Sequence, residues 1–263
     1  MGGGWREGRR VGSMGAGFAA EWLAVREAAD AAARDGSLPA RLPSAPLVVR
    51  DLGCGTGAMA RWLGARLSGS PRWILTDHDP DLLAIAAATV PGAVTDLRDF
   101  TTLSADDLAG TDLVTGSAVL DLLTAEEITG LVESCAGARC AALFTLSVVG
   151  KVRFTPPDPL DDELVAAFNA HQRRTVGGRR LLGPDGIAWA AEEFARLGYT
   201  VTRAPSPWRL TPGELFDQWL EGWLGAACDW RPELAEAVRD WRRRRSSQEP
   251  HVVVEHEDLL AIP

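Results

Sequence analysis

The chain is short of the residues that mark several classes of protein. Its 263 residues include one tyrosine, Tyr199, and one lysine, Lys151. They lie far apart in sequence, so a catalytic Tyr-x-x-x-Lys pair of the kind used by many nicotinamide-dependent oxidoreductases is absent. The four cysteines, 54, 135, 140 and 228, show no Cys-x-x-Cys spacing. Neither a zinc site nor a disulfide framework is expected, and a reducing cytoplasm is the expected compartment. No apolar run approaches the roughly 20 residues of a membrane span. The N-terminus lacks the apolar stretch of a secretory signal. Cations are outnumbered, 27 Lys and Arg against 36 Asp and Glu, for a net charge of −9. The one dense basic run, Arg242 to Arg245, is expected to be a solvated helix end. A nucleic-acid partner is therefore not expected, because neutralising phosphates supplies most of that affinity. What remains is a globule with 46% hydrophobic residues and a mean hydropathy of −0.04, long enough for one sizeable core.

Glycine, by contrast, is abundant where it matters. Val48-Val-Arg-Asp51-Leu-Gly53-Cys54-Gly55-Thr-Gly57 reads as a buried strand ending in an acid, then a glycine loop, then a helix from Ala58 to Leu67. Glycines permit positive φ and remove Cβ atoms that would hold a ligand off the backbone. The following helix start offers free N–H groups to an anion. Cys54 is expected as a small residue in a crowded loop, not a reactive thiol. The loop alone also fits a dinucleotide fingerprint through Gly53, Gly55 and Ala58. Asp51 separates the two, since a carboxylate attracts an ammonium and repels a diphosphate.

Three further stations follow in order. Trp73-Ile-Leu-Thr-Asp77 is a second strand ending in an acid, with Asp79 as N-cap and Pro80 at N1 of the next helix. Gly92-Ala-Val-Thr-Asp96-Leu97 is a third, with Asp99 competing for the role of its acid. Asp112-Leu-Val-Thr-Gly-Ser117 leads into Ala118-Val-Leu-Asp121. Together these resemble motifs I to IV of the class I S-adenosylmethionine-dependent methyltransferases. The resemblance implies that Asp51 serves the methionine ammonium and that Gly53, Gly55 and Gly57 admit the backbone close to the cofactor. It implies that Asp77, with His78 beside it, serves the ribose, that Asp96 and Leu97 serve adenine, and that Ser117 lines the site near the methyl group. It also implies an α/β, doubly wound seven-stranded Rossmann-like sheet whose last strand is antiparallel to the others. Ala167-Phe-Asn-Ala-His-Gln172, Leu182-Gly-Pro184, Ser206-Pro-Trp208 and His256-Glu-Asp-Leu-Leu-Ala261 are similar to uncharacterised bacterial proteins of that kind and bring no substrate with them.

Strands are expected at 47–52, 72–77, 92–96, 112–117 and 140–147, at Tyr199 to Arg203 and from His251. Residues 1–15 are glycine-rich and expected to be mobile. Phe18 to Arg34 reads as an amphipathic helix, through Phe18, Trp22, Val25 and Ala29, and with a proline-rich linker forms an N-terminal unit, 1–46. Arg26 and Asp30, four apart, are either a surface pair or part of a lid over the methionine end. The remaining 47–263 form the methyltransferase domain, with helical cap insertions at 148–182 and 206–250 placed for substrate recognition. Helices are expected over Asp161 to Arg173, Pro184 to Leu197 (with Gly198 at C′) and Pro232 to Ser246.

Two residues are candidates for the chemistry. His171 falls on the apolar side of its helix, as a core histidine or as a general base for the acceptor. Asp121 either caps the next helix or holds a substrate amine or hydroxyl. Phe216, Trp219, Leu220 and Trp223 form a stripe that packs the cap or walls an aromatic substrate. No metal is implied, because the acids lack histidine partners at ligand spacing. The expected partner is a small-molecule acceptor, with a homodimer left open. An NAD-dependent oxidoreductase, a non-catalytic cofactor-binding subunit and other sulfonium chemistry stay as alternatives at this point.

Overall fold

The computed structural model describes residues 20–45, 47–245 and 248–263. Phe18, Ser246 and the glycine-rich segment 1–15 lie outside the described residues. The first helix, α1, spans Ala20–Ala33. Strand and helix then alternate: β1 Val48–Leu52, α2 Ala58–Gly64, β2 Arg72–Asp77, α3 Pro80–Thr89, β3 Val94–Leu97, β4 Leu113–Ser117, α4 Ala125–Ala138 and β5 Ala141–Thr155. Beyond these come α5 Asp161–Gln172, a two-residue hairpin (β6 Thr175–Val176, β7 Arg179–Arg180), α6 Gly186–Arg196, β8 Thr200–Pro205, β9 Trp208–Leu210, α7 Glu214–Trp230, α8 Ala235–Arg245 and β10 His251–Ile262.

The main sheet runs β3-β2-β1-β4-β5-β10-β8. β1 to β5 are mutually parallel, and β10 is antiparallel to both β5 and β8. This is the doubly wound order that the sequence resemblance implied, with the reversed last strand. The strand order turns back between β1 and β4, so their carboxyl ends open a crevice at the switch point. Near-continuous burial of β1 and β4 fits a parallel sheet covered on both faces. One face packs Leu52, Leu120, Ile128, Phe144 and Phe194 under α4 and α6. The other packs Val49, Leu63, Leu75, Leu83 and Leu143 under α2 and α3. Local signals explain several boundaries. Asp79 accepts hydrogen bonds from the N–H groups of Asp81 and Leu82, Thr124 and Glu127 form a reciprocal capping box on α4, and Gly198 follows α6 at φ +86°.

Three expectations on element extent need correction. α2 stops at Gly64, short of the expected Leu67. The sheet gains an eighth strand, β9, paired with the start of β10 inside the expected 206–250 insertion. β5 does not end at 147. It runs to Thr155, and Val152 to Thr155 pair with His251 to Val254. The burial pattern changes along it, from continuous to alternating, because the extension is covered on one side only. The cap is therefore partly sheet. α5, α7 and α8 pack there through Phe154, Leu164, Trp208, Phe216, Trp223 and Trp241. The aromatic stripe of α7 is thus largely core: Phe216 and Trp223 are buried, and Trp219 stacks on Trp223 at 5.6 Å. Among the described residues, no helix is long and apolar enough to cross a membrane.

Candidate active site

The site is assembled at the carboxyl ends of β1, β2 and β4. Gly53, Gly55 and Gly57 all take positive φ, at +58°, +54° and +83°. Space as well as φ favours glycine at all three, a Cβ on Gly53 meeting Val119 Cγ1 at 3.1 Å. A Cβ on Gly57 would stand 2.9 Å from Val90 Cγ2, and one on Gly55 would stand 3.1 Å from Leu23 Cδ1 of α1. Cys54 is buried, its N–H donates to the carbonyl of Thr76 at 3.1 Å, and burial pushes its thiol pKa up. It is an inert wall residue.

Two acids bracket the loop. Asp77 accepts from the Gly55 N–H at 2.8 Å through one oxygen and from the Asp79 N–H at 3.0 Å through the other. The loop is thereby tied to the end of β2. His78 is exposed, its Nδ1 3.5 Å from Asp77 Oδ1. Asp51 lies one strand away and is 1% exposed. Its Oδ1 accepts from the hydroxyl of Thr115, its register partner on β4, at 2.7 Å. Its Oδ2 has no partner. Desolvation raises its pKa to about 6, against the opposing Thr115 hydrogen bond and the nearby Arg34 charge.

Asp96 and Leu97, expected to serve adenine, stand at the end of β3. Leu97 is exposed at the sheet edge, but the Asp96 carboxylate is engaged by the Arg50 guanidinium at 2.6 Å, with Arg98 at 3.7 Å. Arg50 also donates to Thr76 Oγ1 at 3.0 Å. Asp96 is thus part of an ion pair across β1, β2 and β3, which sequence spacing alone did not reveal. Asp99 is occupied locally, accepting from the Thr101 N–H at 3.0 Å.

Ser117, at the end of β4, accepts from Arg34 at 2.9 Å and from the Thr145 hydroxyl at 3.2 Å. Arg34 escaped sequence reasoning. It stands just past α1, is 5% exposed, and its Nε donates to Thr145 Oγ1 at 3.2 Å. The pair Arg26 and Asp30 was also underrated. It is no surface pair: Asp30 is buried and accepts from Arg26 at 3.0 Å and from the Trp208 indole N–H at 3.0 Å. The Arg26 guanidinium lies 4.9 Å from the Trp208 ring centroid. Glu27 receives two hydrogen bonds from Arg61 of α2, at 2.9 and 2.6 Å. Between them, these contacts fasten α1 against the glycine loop and the cap. The i, i+4 acid–base spacings in 26–34 were the available signal, but nothing in sequence named their distant partners.

On the acceptor side, Asp121 sits in the 3-10 turn after β4, half-buried, and desolvation lifts its pKa to about 6 against the pull of Arg26 and Arg174. His171 is half-buried at the end of α5. Its pKa is lowered by desolvation and then by Arg174. The Arg174 guanidinium, which can only donate, lies 3.3 Å from His171 Nδ1. That contact assigns the lone pair to Nδ1 and the proton to Nε2, making Nε2 a donor. α6 approaches the 3-10 turn of Asp121 closely, since a Cβ on Gly186 would lie 2.5 Å from the Leu120 carbonyl oxygen. A depression of about 370 Å³ at the opposite edge, lined by Val48, Arg72 and Gly110, lies away from the glycine loop and both strand-end acids.

No family model matches the chain, and no curated protein matches it. Solved structures do show a likeness. A Mesorhizobium loti S-adenosylmethionine-dependent methyltransferase is 20% identical, over 87% of this chain and 99% of that one, with a TM-score of 0.44. A putative methyltransferase in complex with the Trm112 methyltransferase activator of Haloferax volcanii is 19% identical, over 70% and 74%, at 0.49. The magnesium protoporphyrin IX methyltransferase of Synechocystis with bound S-adenosylhomocysteine is 12% identical, over 93% and 84%, at 0.44. Identity and TM-score are low in all three, so the sheet order and the strand-end residues of this chain carry its functional assignment.

Proposed function

We infer that the chain binds S-adenosylmethionine at the carboxyl ends of β1, β2 and β4 and transfers its methyl group to an oxygen, nitrogen or carbon of a small molecule. The observation that carries this reading is the unpartnered, buried Oδ2 of Asp51 beside a glycine loop held open by Asp77. A buried carboxylate with a free oxygen selects a cation with N–H donors. An ammonium fits that demand; the diphosphate of a dinucleotide does not. Bound there, the sulfonium supplies an electrophilic methyl group.

The chain's own residues divide the rest of the work. Asp51 holds the ammonium. Gly53, Gly55 and Gly57 let the backbone approach, with Cys54 as wall. Asp77 retains lone pairs for the ribose hydroxyls, and His78 lies at that rim. Leu97 is assigned to adenine, and Asp96 joins it only by sharing its carboxylate with Arg50. Ser117 closes the methionine side through its hydrogen bonds. α1 acts as a lid, with Leu23 over Gly55. The segments 148–182 and 206–250 surround the acceptor, and Asp121 takes its proton, with His171 orienting it as a donor. Positioning the acceptor in line with the S–CH3 bond is the larger task, because an activated methyl needs little further help.

The test is transfer of label. The protein is incubated with methyl-labelled S-adenosylmethionine and a bacterial metabolite extract, and products are separated by mass. Label in a small molecule that has gained one CH2 supports the reading. Cofactor binding with label found only in macromolecules contradicts the acceptor class, and a product carrying a different fragment of the cofactor contradicts methyl transfer.

A further inference from the structure

Arg174 follows the C-terminal end of α5, and only one corner of its guanidinium is used. Nη1 donates to the His171 carbonyl at 3.0 Å and lies 3.3 Å from His171 Nδ1. Nε and Nη2 meet no acceptor among the described residues. Those two nitrogens form the edge with which this chain grips carboxylates elsewhere. Arg61 holds Glu27, Arg173 holds Asp185 and Arg179 holds Glu127, each through Nε and Nη2 at 2.6 to 2.9 Å. Such side-on pairing makes two parallel hydrogen bonds and suits a planar carboxylate. Arg174 is half-buried like those three, yet no acid pairs with it among the described residues. Desolvation lowers its pKa, and Asp121 and then Asp229 are the acids whose charge reaches it.

The fold sets this open fork beside the acceptor site. The chain after Arg174 makes the β6–β7 hairpin and returns, so that the Leu181 N–H donates to the Arg174 carbonyl at 3.2 Å. The next N–H, of Leu182, donates to the Leu123 carbonyl at 2.8 Å, two residues past Asp121. Arg179 also donates to the Leu122 carbonyl at 3.2 Å. Arg174 and Asp121 therefore stand on adjoining loops fastened together through the backbone. Arg173 is locked on Asp185, and the contacts with His171 hold the next guanidinium, so the fork is set before a ligand arrives. We propose that the methyl acceptor is a carboxylic acid, and that the Nε and Nη2 edge of Arg174 anchors its carboxylate while its reacting atom stands at Asp121. This rests on the reading of the site as one for methyl transfer and names the class of acceptor. His171 is then a positioning residue, acting through the arginine. The anchored carboxylate is not the group methylated, so the product remains an anion.

The experiment separates a bacterial metabolite extract on an anion exchanger and offers each fraction to the wild-type chain with methyl-labelled S-adenosylmethionine. Label is expected in a molecule from the retained fraction, still retained once methylated, and formed equally well from extract treated with phosphatase. That acceptor is then titrated by calorimetry into protein loaded with S-adenosylhomocysteine. Arg174→Met should weaken its binding by about tenfold to a hundredfold, the range of a hydrogen bond to a charged group. Affinity for S-adenosylhomocysteine should stay within about twofold, which reports an intact fold. Arg174→Lys, which keeps the charge and loses the fork, should fall between the two and guards against a misfolded methionine variant. An acceptor that passes unretained, one that phosphatase destroys, a product no longer retained, or unchanged acceptor affinity in both variants would overturn the carboxylate anchor and leave methyl transfer standing. Absence of a labelled small molecule from every fraction would overturn both.

Discussion

Asp51 joins stability and ligand choice in one side chain. Its pKa, raised by desolvation to about 6 from an ordinary 3.8, means that the ligand-free protein holds an extra proton between those values. The sign follows from linkage: stability from this group is present below the ordinary value and lost as pH rises through about 6. Ligand binding runs the other way, because an ammonium needs the ionised carboxylate. Affinity for S-adenosylmethionine is predicted to fall towards about tenfold per pH unit below the raised pKa, and Asp51→Asn should bind weakly with little pH dependence there. Calorimetry from acid to neutral pH checks both. For the acceptor step, Asp121→Asn is expected to cut turnover by about a hundredfold or more, while cofactor affinity stays within about twofold. His171→Gln should cost less than about tenfold, because the Nδ1 lone pair is already engaged by Arg174. Both are measured with whatever acceptor the label transfer identifies. At this scale Asp51 and Asp77 were legible because each stands at the end of an apolar strand. Arg34 and Arg50 were not, because their partners lie 83 and 46 residues away, and only strand register brings them together.

Elements were legible where a local rule fixes them. The glycine loop, the Asp79 cap and Gly198 after α6 follow from residues within one turn of each other. The length of β5 was hidden, since its continuation is stabilised by β10, about a hundred residues later in the chain. Tertiary pairing overrode a pattern that stopped reading as fully buried at 147. The loop gives a direct test. Gly55→Ala places a Cβ 3.1 Å from Leu23 and forces a non-glycine residue to φ +54°. It is predicted to cost about 1–3 kcal/mol of stability and to weaken cofactor binding. Denaturant melts and calorimetry measure the two effects. Pairing the change with Leu23→Ala should relieve the steric part and leave the backbone part.

Taken whole, the molecule is a doubly wound sheet with a cap built from β9, α5, α7, α8 and the far halves of β5 and β10. The basic run 242–245, expected to be a solvated helix end, divides between surface and core. Arg242 pairs with Glu221 and Arg244 with Asp158, whereas Arg245 is buried, its Nη2 donating to both oxygens of Asp161 at 2.7 Å. The Trp241 indole donates to the same carboxylate at 2.8 Å. Asp161→Ala strands a buried guanidinium and is predicted to destabilise the protein by about 3–5 kcal/mol. Limited proteolysis should then open the cap first, with the cofactor loop protected longer. The sheet was readable in outline because a parallel core writes itself as apolar strands between helices. The cap was not, because its aromatic packing depends on how two distant segments fold together. The central claim is the ligand at the glycine loop, and titration calorimetry with S-adenosylmethionine and NAD side by side tests it most directly. Saturable binding of the sulfonium nucleoside that Asp77→Ala weakens by about tenfold or more is the predicted result. Firm binding of NAD with no heat from S-adenosylmethionine would contradict it.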